Sequence, residues 1–201
     1  DLAMSWSLNP YRGCEHGCVY CYARPTHEMF GLSSGLDFER KIFVKRDAPA
    51  LLRRELAKPS WSPESIMLSG VTDPYQPVEA SLGVTRGVLG VLAECRQPVG
   101  VITKNSLVLR DIDLLAELAS HGAARVAVSV TTLDAKLGAT MEPRGASPKR
   151  RLETIRRLTD ASVPTIAMVA PIVPALTDHE VPAILEAVAE AGAIGAGHVV
   201  L

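Results

Sequence analysis

The stretch NPYRGCEHGCVYCYARP, residues 9–25, holds three of the four cysteines of a 201-residue chain within eight positions. Cys14, Cys18 and Cys21 are spaced CxxxCxxC. Thiolates are soft ligands that favour iron–sulfur clusters, zinc and copper(I). A structural zinc site takes four protein ligands, usually as two paired knuckles, and no second CxxC follows. His16 lies inside the loop, where the tight spacing would strain a chelate. Cys95 stands in a helical pattern between Glu94 and Arg96 and reads as a small packed residue. CVYC at 18–21 is formally a thiol redox pair, but that motif opens a helix directly after a strand and needs no third cysteine. A four-iron cubane held by three cysteines leaves one iron without a protein ligand. An open iron is a place for chemistry.

Outward from this loop, short apolar runs alternate with segments of helical period. The strand candidates are 65–69 (SIMLS), 99–103 (VGVIT), 125–130 (RVAVSV), 165–170 (TIAMVA) and 198–201 (HVVL), with a first strand at 4–8 ahead of the cysteines. Their nearly continuous apolar character suits parallel strands buried on both faces. Val84, Val88, Val91 and Leu92 mark one helix face, and Val181, Ile184, Leu185 and Val188 another. Asp47 and Asp111 are candidate helix caps, and Ser147 followed by Pro148 predicts a cap with proline at the first helical position. Six strands and five helices in α/β alternation build a parallel sheet that curls into a full or partial barrel, or opens into a doubly wound sheet. The whole of 1–201 reads as a single domain, cut from a longer protein after the sixth strand.

In parallel α/β folds the functional groups collect at the carboxyl ends of the strands. The polar residues of this chain fall there: the cysteine loop, GVTDPYQPVE at 70–79, KNS at 104–106, SVTTLD at 129–134 and PIVPALTD at 171–178. Bulk properties narrow the partners. A net charge of −1 gives no global pull toward nucleic acid or an anionic membrane. No run approaches the roughly 18 to 20 apolar residues needed to span a bilayer. Clustered cysteines without a secretory leader point to metal or redox ligands in the cytoplasm.

CxxxCxxC with Tyr20 just before the last cysteine, on the loop after the first strand of a repeating βα chain, resembles the radical S-adenosylmethionine (SAM) superfamily. The resemblance implies a (β/α)6 partial TIM barrel in which Cys14, Cys18 and Cys21 bind a [4Fe–4S] cluster. The fourth iron then chelates the amino and carboxylate groups of SAM, and one electron cleaves SAM to a 5′-deoxyadenosyl radical that abstracts hydrogen from a substrate. A reductant such as flavodoxin or ferredoxin is implied with it. GCVYCYARP, VTDPYQPVE, TKN, SVTTLD and APIVPALTD together resemble the spore photoproduct lyase-related branch. By that resemblance Thr72 and Asp73 hold the SAM amino group, while Lys104 meets its carboxylate or ribose and Ser129 also contacts SAM. Arg144 pairs with the SAM carboxylate or else with Glu142. Tyr20 packs beside cluster or adenine, Ala170 against adenine, and Tyr22 lies near substrate as a weak catalytic candidate.

The chain departs from the branch at Gly70, where the lyase carries the cysteine that returns a hydrogen atom to its product radical. Photoproduct repair therefore stands as an alternative, as does a non-catalytic metal-binding module. Residues 144–157 hold Arg144, Lys149, Arg150, Arg151, Arg156 and Arg157 against Glu153. That run could contact phosphates, but a solvated helix face is its usual explanation, and the near-neutral net charge favours that reading.

Overall fold

The computed structural model describes residues 6–201, so Met4 and Ser5 of the expected first strand lie outside the described residues. In chain order the strands are β1 (Trp6–Leu8), β2 (Tyr11–Arg12), β3 (Phe43–Val44), β4 (Ile66–Leu68), β5 (Val99–Thr103), β6 (Ala124–Ser129), β7 (Thr165–Ile172) and β8 (Ala196–Val200). β2 and β3 pair antiparallel, and the other six form one parallel sheet in the order β1-β4-β5-β6-β7-β8. A doubly wound sheet must reverse its strand order at a switch point. This order never reverses. Each new strand adds on the same side, and β1 and β8 do not meet among the described residues, which makes a partial barrel that stays open.

Every connection between sheet strands carries helix. The helices are α1 (Leu36–Arg40), α2 (Ala48–Leu56), α3 (Glu79–Leu82), α4 (Val84–Glu94), α5 (Ile112–Ser120), α6 (Ala135–Met141), α7 (Pro148–Asp160) and α8 (Val181–Glu190). The expected apolar stripes are the buried ones: Val84, Val88, Val91 and Leu92 on α4, and Ile184 and Val188 on α8, whereas Leu185 is exposed. Ser147 caps α7 by accepting from the Arg150 N–H at 3.4 Å, with Pro148 opening the helix. Asp47 and Asp111 do not cap with their side chains. The Asp111 carboxylate is buried and taken instead by Arg86 and Arg110, at 3.0 and 2.8 Å, whose charge-assisted bonds outcompete a helix N–H.

A single core of Leu, Val, Ile and Ala lies between the sheet and these helices, with Leu68, Leu92, Leu115 and Ile155 fully buried. Cys95 departs from expectation. It follows the last turn of α4 and is exposed rather than packed. Replacing Leu115 by Ala should lower unfolding stability by about 2–5 kcal/mol, measured by denaturant titration, through lost burial and the cavity left behind. A loss under about 0.5 kcal/mol would show that this site is not close-packed.

Candidate functional site

The cysteine loop begins where β2 ends and is built on two left-handed turns. Gly13 has φ +80° and Gly17 φ +69°, a region that costs residues with a Cβ. A Cβ on Gly13 would stand 2.8 Å from the Phe38 carbonyl oxygen, to which the Cys14 N–H donates at 2.9 Å. Glycine is what lets the loop lie this close to α1. Two arginines brace it further. Arg24 donates to the Cys18 carbonyl at 3.0 Å and to Glu39 at 2.6 Å, and Arg144 donates to the Glu15 carbonyl and to Glu39. Gln76 completes the support, accepting from the Glu15 N–H at 3.0 Å and donating to the Gly13 carbonyl at 3.1 Å.

Cys14 and Cys18 are buried and Cys21 half-buried, and none is in a disulfide. Burial, with the Asp73 carboxylate beside it, pushes the Cys14 thiol up to about 12. Burial pushes Cys18 up to about 11 against the opposing charge of Lys104. Metal binding at Cys14 and Cys18 must therefore release their protons. Among the described residues no three His, Cys, Asp or Glu side chains stand close enough to grip one metal ion. A cubane spreads three thiolates over three irons, and the three free thiols of this loop are a donor set of that kind.

Asp73 joins the cysteine loop to the strand ends. Its Oδ1 accepts from the Tyr75 N–H at 2.9 Å and the Thr103 hydroxyl at 2.7 Å, and its Oδ2 from the Lys104 N–H at 2.8 Å. The buried His16 ring lies 3.4 Å from Oδ2 through Nδ1, and its Nε2 lies 3.1 Å from the Asn105 side-chain nitrogen. Burial lowers the His16 pKa. Thr72 donates its hydroxyl to the Tyr11 carbonyl at 3.3 Å, which leaves its oxygen lone pairs available. The Asn9 side chain accepts from the Val71 and Thr72 N–H groups at 3.0 and 3.2 Å.

Glu142 is a second hub. Its buried carboxylate accepts from the Tyr20 hydroxyl, from the Thr131 hydroxyl at 2.9 Å and from Arg151, and lies 3.6 Å from Lys104 Nζ. Lys104 also stands over the Tyr20 ring, 5.7 Å from its centroid. Burial opposes the Lys104 charge, but Tyr20 and Glu142 outweigh it and the pKa rises. Ser129, buried at the end of β6, gives its carbonyl to Arg151 at 3.0 Å. Ala170 is half-buried near the end of β7. Tyr22 is exposed and donates its hydroxyl to the Gly70 carbonyl. Tyr20, Lys104 and Ser129 are thus linked through the Glu142–Arg151 pair, and Asp73 is tied to Lys104 by its backbone N–H.

Arg144 does not pair with Glu142; it reaches Glu39 instead, on the far side of the cysteine loop. The run of cations at 144–157 is a solvated face at Arg144, Lys149, Arg150, Arg156 and Arg157, and Arg151 is the exception, buried against Glu142. Asn9 and Gln76 escaped the sequence reading, which took His16 only as a strained metal ligand and Glu142 only as a partner for Arg144. One signal pointed to Glu142: Arg151 shares the spacing of Thr154, Ile155 and Leu158, the buried stripe of α7, and a cation on a core face needs a buried carboxylate. A cavity of about 710 Å³ lies elsewhere, between β1 and α2 beside Trp6 and Trp61.

The Lys104 and Arg151 charges overcome the effect of burial and hold Glu142 down at about 2, against 4.5 ordinarily. A depressed carboxyl stabilises the fold above its unfolded pKa and loses that contribution as pH falls through its folded one. Wild-type stability should therefore decline between about pH 4.5 and 2 by an extra amount on the order of 3 kcal/mol relative to Glu142→Gln. Parallel acid profiles from both proteins would contradict this.

Residues 8–188 match the family model described as the Radical SAM superfamily. An uncharacterized protein of Mycobacterium tuberculosis is 39% identical over 196 residues, covering 96% of this chain and 58% of its own length. The chain thus spans little more than half of that curated relative. A spore photoproduct lyase mutant with bound AdoMet and dinucleoside spore photoproduct has a similar fold, with TM-score 0.60 and 17% identity over 83% of this chain and 46% of that one. SuiB of Streptococcus suis, bound to S-adenosylmethionine, gives TM-score 0.63 and 13% identity over 97% and 38%. The superfamily uses a [4Fe–4S] cluster and SAM, and no described helix is long and apolar enough to cross a membrane. With the match extending over most of its length, the chain belongs to the radical SAM superfamily.

Proposed function

We propose that residues 1–201 act as one radical SAM core domain, in which Cys14, Cys18 and Cys21 hold a [4Fe–4S] cluster whose fourth iron takes SAM. The observation that carries this reading is the loop itself: three free thiols spaced CxxxCxxC on a glycine-shaped turn. When bound, the cluster supplies the electron that cleaves SAM reductively to the 5′-deoxyadenosyl radical.

The chain's own residues receive the zwitterion. Thr72, through the lone pairs left after its bond to Tyr11, and Asp73 take the ammonium. Lys104, whose Nζ makes no hydrogen bond among the described residues, takes the carboxylate, and Ser129 adds a contact from the end of β6. Tyr20 packs beneath Lys104, and Ala170 offers a small surface for the adenine. Arg144 braces the cysteine loop through Glu39 and Glu15.

The substrate is left open. Gly70 faces open space where the lyase-related resemblance calls for a thiol, so photoproduct repair has no hydrogen donor at that position. Tyr22, exposed beside Gly70, is the side chain best placed to meet a substrate. A cluster of this kind and three reduced thiols suit the cytoplasm, with a flavodoxin- or ferredoxin-type reductant.

Anaerobically reconstituted protein should carry about four irons per chain and absorb broadly near ~400 nm. With dithionite and SAM it should release 5′-deoxyadenosine, and Cys14→Ala should abolish both iron binding and release. One zinc per chain, or reconstituted protein with no iron, would sink the proposal.

A further inference from the structure

Arg151, Lys104 and Glu142 meet in the buried space behind the cysteine loop, with the Asp73 carboxylate on the other side of Lys104. Arg151 spends all three guanidinium nitrogens on the fold: Nε on the Ala146 carbonyl at 2.7 Å, Nη1 on the Ser129 carbonyl at 3.0 Å and Nη2 on Glu142. Lys104 spends none of its donors. Among the described residues its Nζ makes no hydrogen bond and stands 3.6 Å from Glu142 Oε1, over the Tyr20 ring. That separation has a cause. Oε1 already accepts from the Tyr20 hydroxyl and from the Thr131 hydroxyl at 2.9 Å, so the ammonium is held by charge without being captured. Of the two cations, the ammonium is the one that keeps its donors free. Without the carboxylate, Lys104 and Arg151 would be like charges in one low-dielectric pocket and would repel.

We propose that Glu142 is the positioning residue that holds Lys104 ready for the carboxylate of SAM. Arg151 and Thr131 anchor Glu142 to α7 and to the end of β6, and Tyr20 links it to the cysteine loop one residue before Cys21. Glu142 thereby sets the ammonium against the cluster loop without touching the ligand itself. The proposal rests on Lys104 being the carboxylate-binding residue.

The test is SAM binding to anaerobically reconstituted protein by equilibrium dialysis, with iron content and the paramagnetic spectrum of the reduced cluster recorded for each variant. Lys104→Met should weaken SAM binding at least ten-fold or so, as loss of a charge-assisted bond does. Glu142→Gln should weaken it comparably while leaving about four irons per chain. In the Lys104→Met background, Glu142→Gln should cost less than about two-fold more, because residues acting through one another are not additive. The change that SAM produces in the wild-type spectrum should shrink in both single variants.

Equal losses from Glu142→Gln in both backgrounds, or no loss in either, would overturn the proposal. Should Glu142→Gln not fold, Glu142→Asp keeps the charge but draws it back, and roughly a three-fold loss is expected, again only when Lys104 is present. A loss of the same size in both backgrounds would overturn the proposal as well. SAM binding insensitive to Glu142 but sensitive to Lys104 would refute this inference alone. Failure of cluster-loaded wild-type protein to bind SAM would remove the underlying reading with it.

Discussion

The carboxylate of Asp73 is the point on which the rim of the barrel depends. Parallel strands deliver their carboxyl ends to one side, and each end brings backbone and side-chain donors that cannot be left bare in a buried place. Asp73 gathers the Tyr75 N–H, the Thr103 hydroxyl and the Lys104 N–H, and faces the ring of His16. The ends of β4 and β5 and the cysteine loop are thereby fixed to one another. Glu142 does the same for the end of β6 and α7, and Lys104 stands between the two carboxylates, its N–H on Asp73 and its ammonium near Glu142. The rim is built from two buried acids, and the cysteine loop hangs from both.

Much of this was legible in the residues. β5 falls on the apolar run VGVIT, and the α4 stripe follows its spacing, because burial on both sides of a parallel strand or along one helix face leaves a periodic imprint. The strand ends carried the polar residues that meet at the rim, since topology alone delivers them there. The β2–β3 hairpin was not legible: two-residue strands imprint no alternation, and their pairing spans a long insertion. Asp111 misled for a related reason. A cap is a local inference, whereas Arg86 reaches Asp111 from another helix. Glu142 is the clearest case, because its partners come from four separate segments that only the closed fold brings together.

The arrangement separates a general apparatus from a specific one. On the proposed reading, the thiols, the Asp73 hub and the Glu142–Lys104–Arg151 cluster serve a small charged ligand and the loop that meets it. The groups that face outward from the rim are different in kind: Tyr22 on the cysteine loop and Gly70 at φ +114°, with open space beside it. On the proposed reading, these outward groups are the ones a substrate would meet. The absence of a thiol at Gly70 separates this rim from the lyase pattern while leaving the inner apparatus intact.

The central claim is that the missing fourth cysteine marks the place where SAM binds iron. It is tested most directly by electron–nuclear double resonance on the reduced cluster, with SAM carrying 15N in its amino group and 17O in its carboxylate. Direct hyperfine coupling from both labels to the cluster is the predicted result, and it should weaken in Lys104→Met. A fully loaded, reduced cluster that shows no coupling to either label in the presence of saturating SAM would contradict the account.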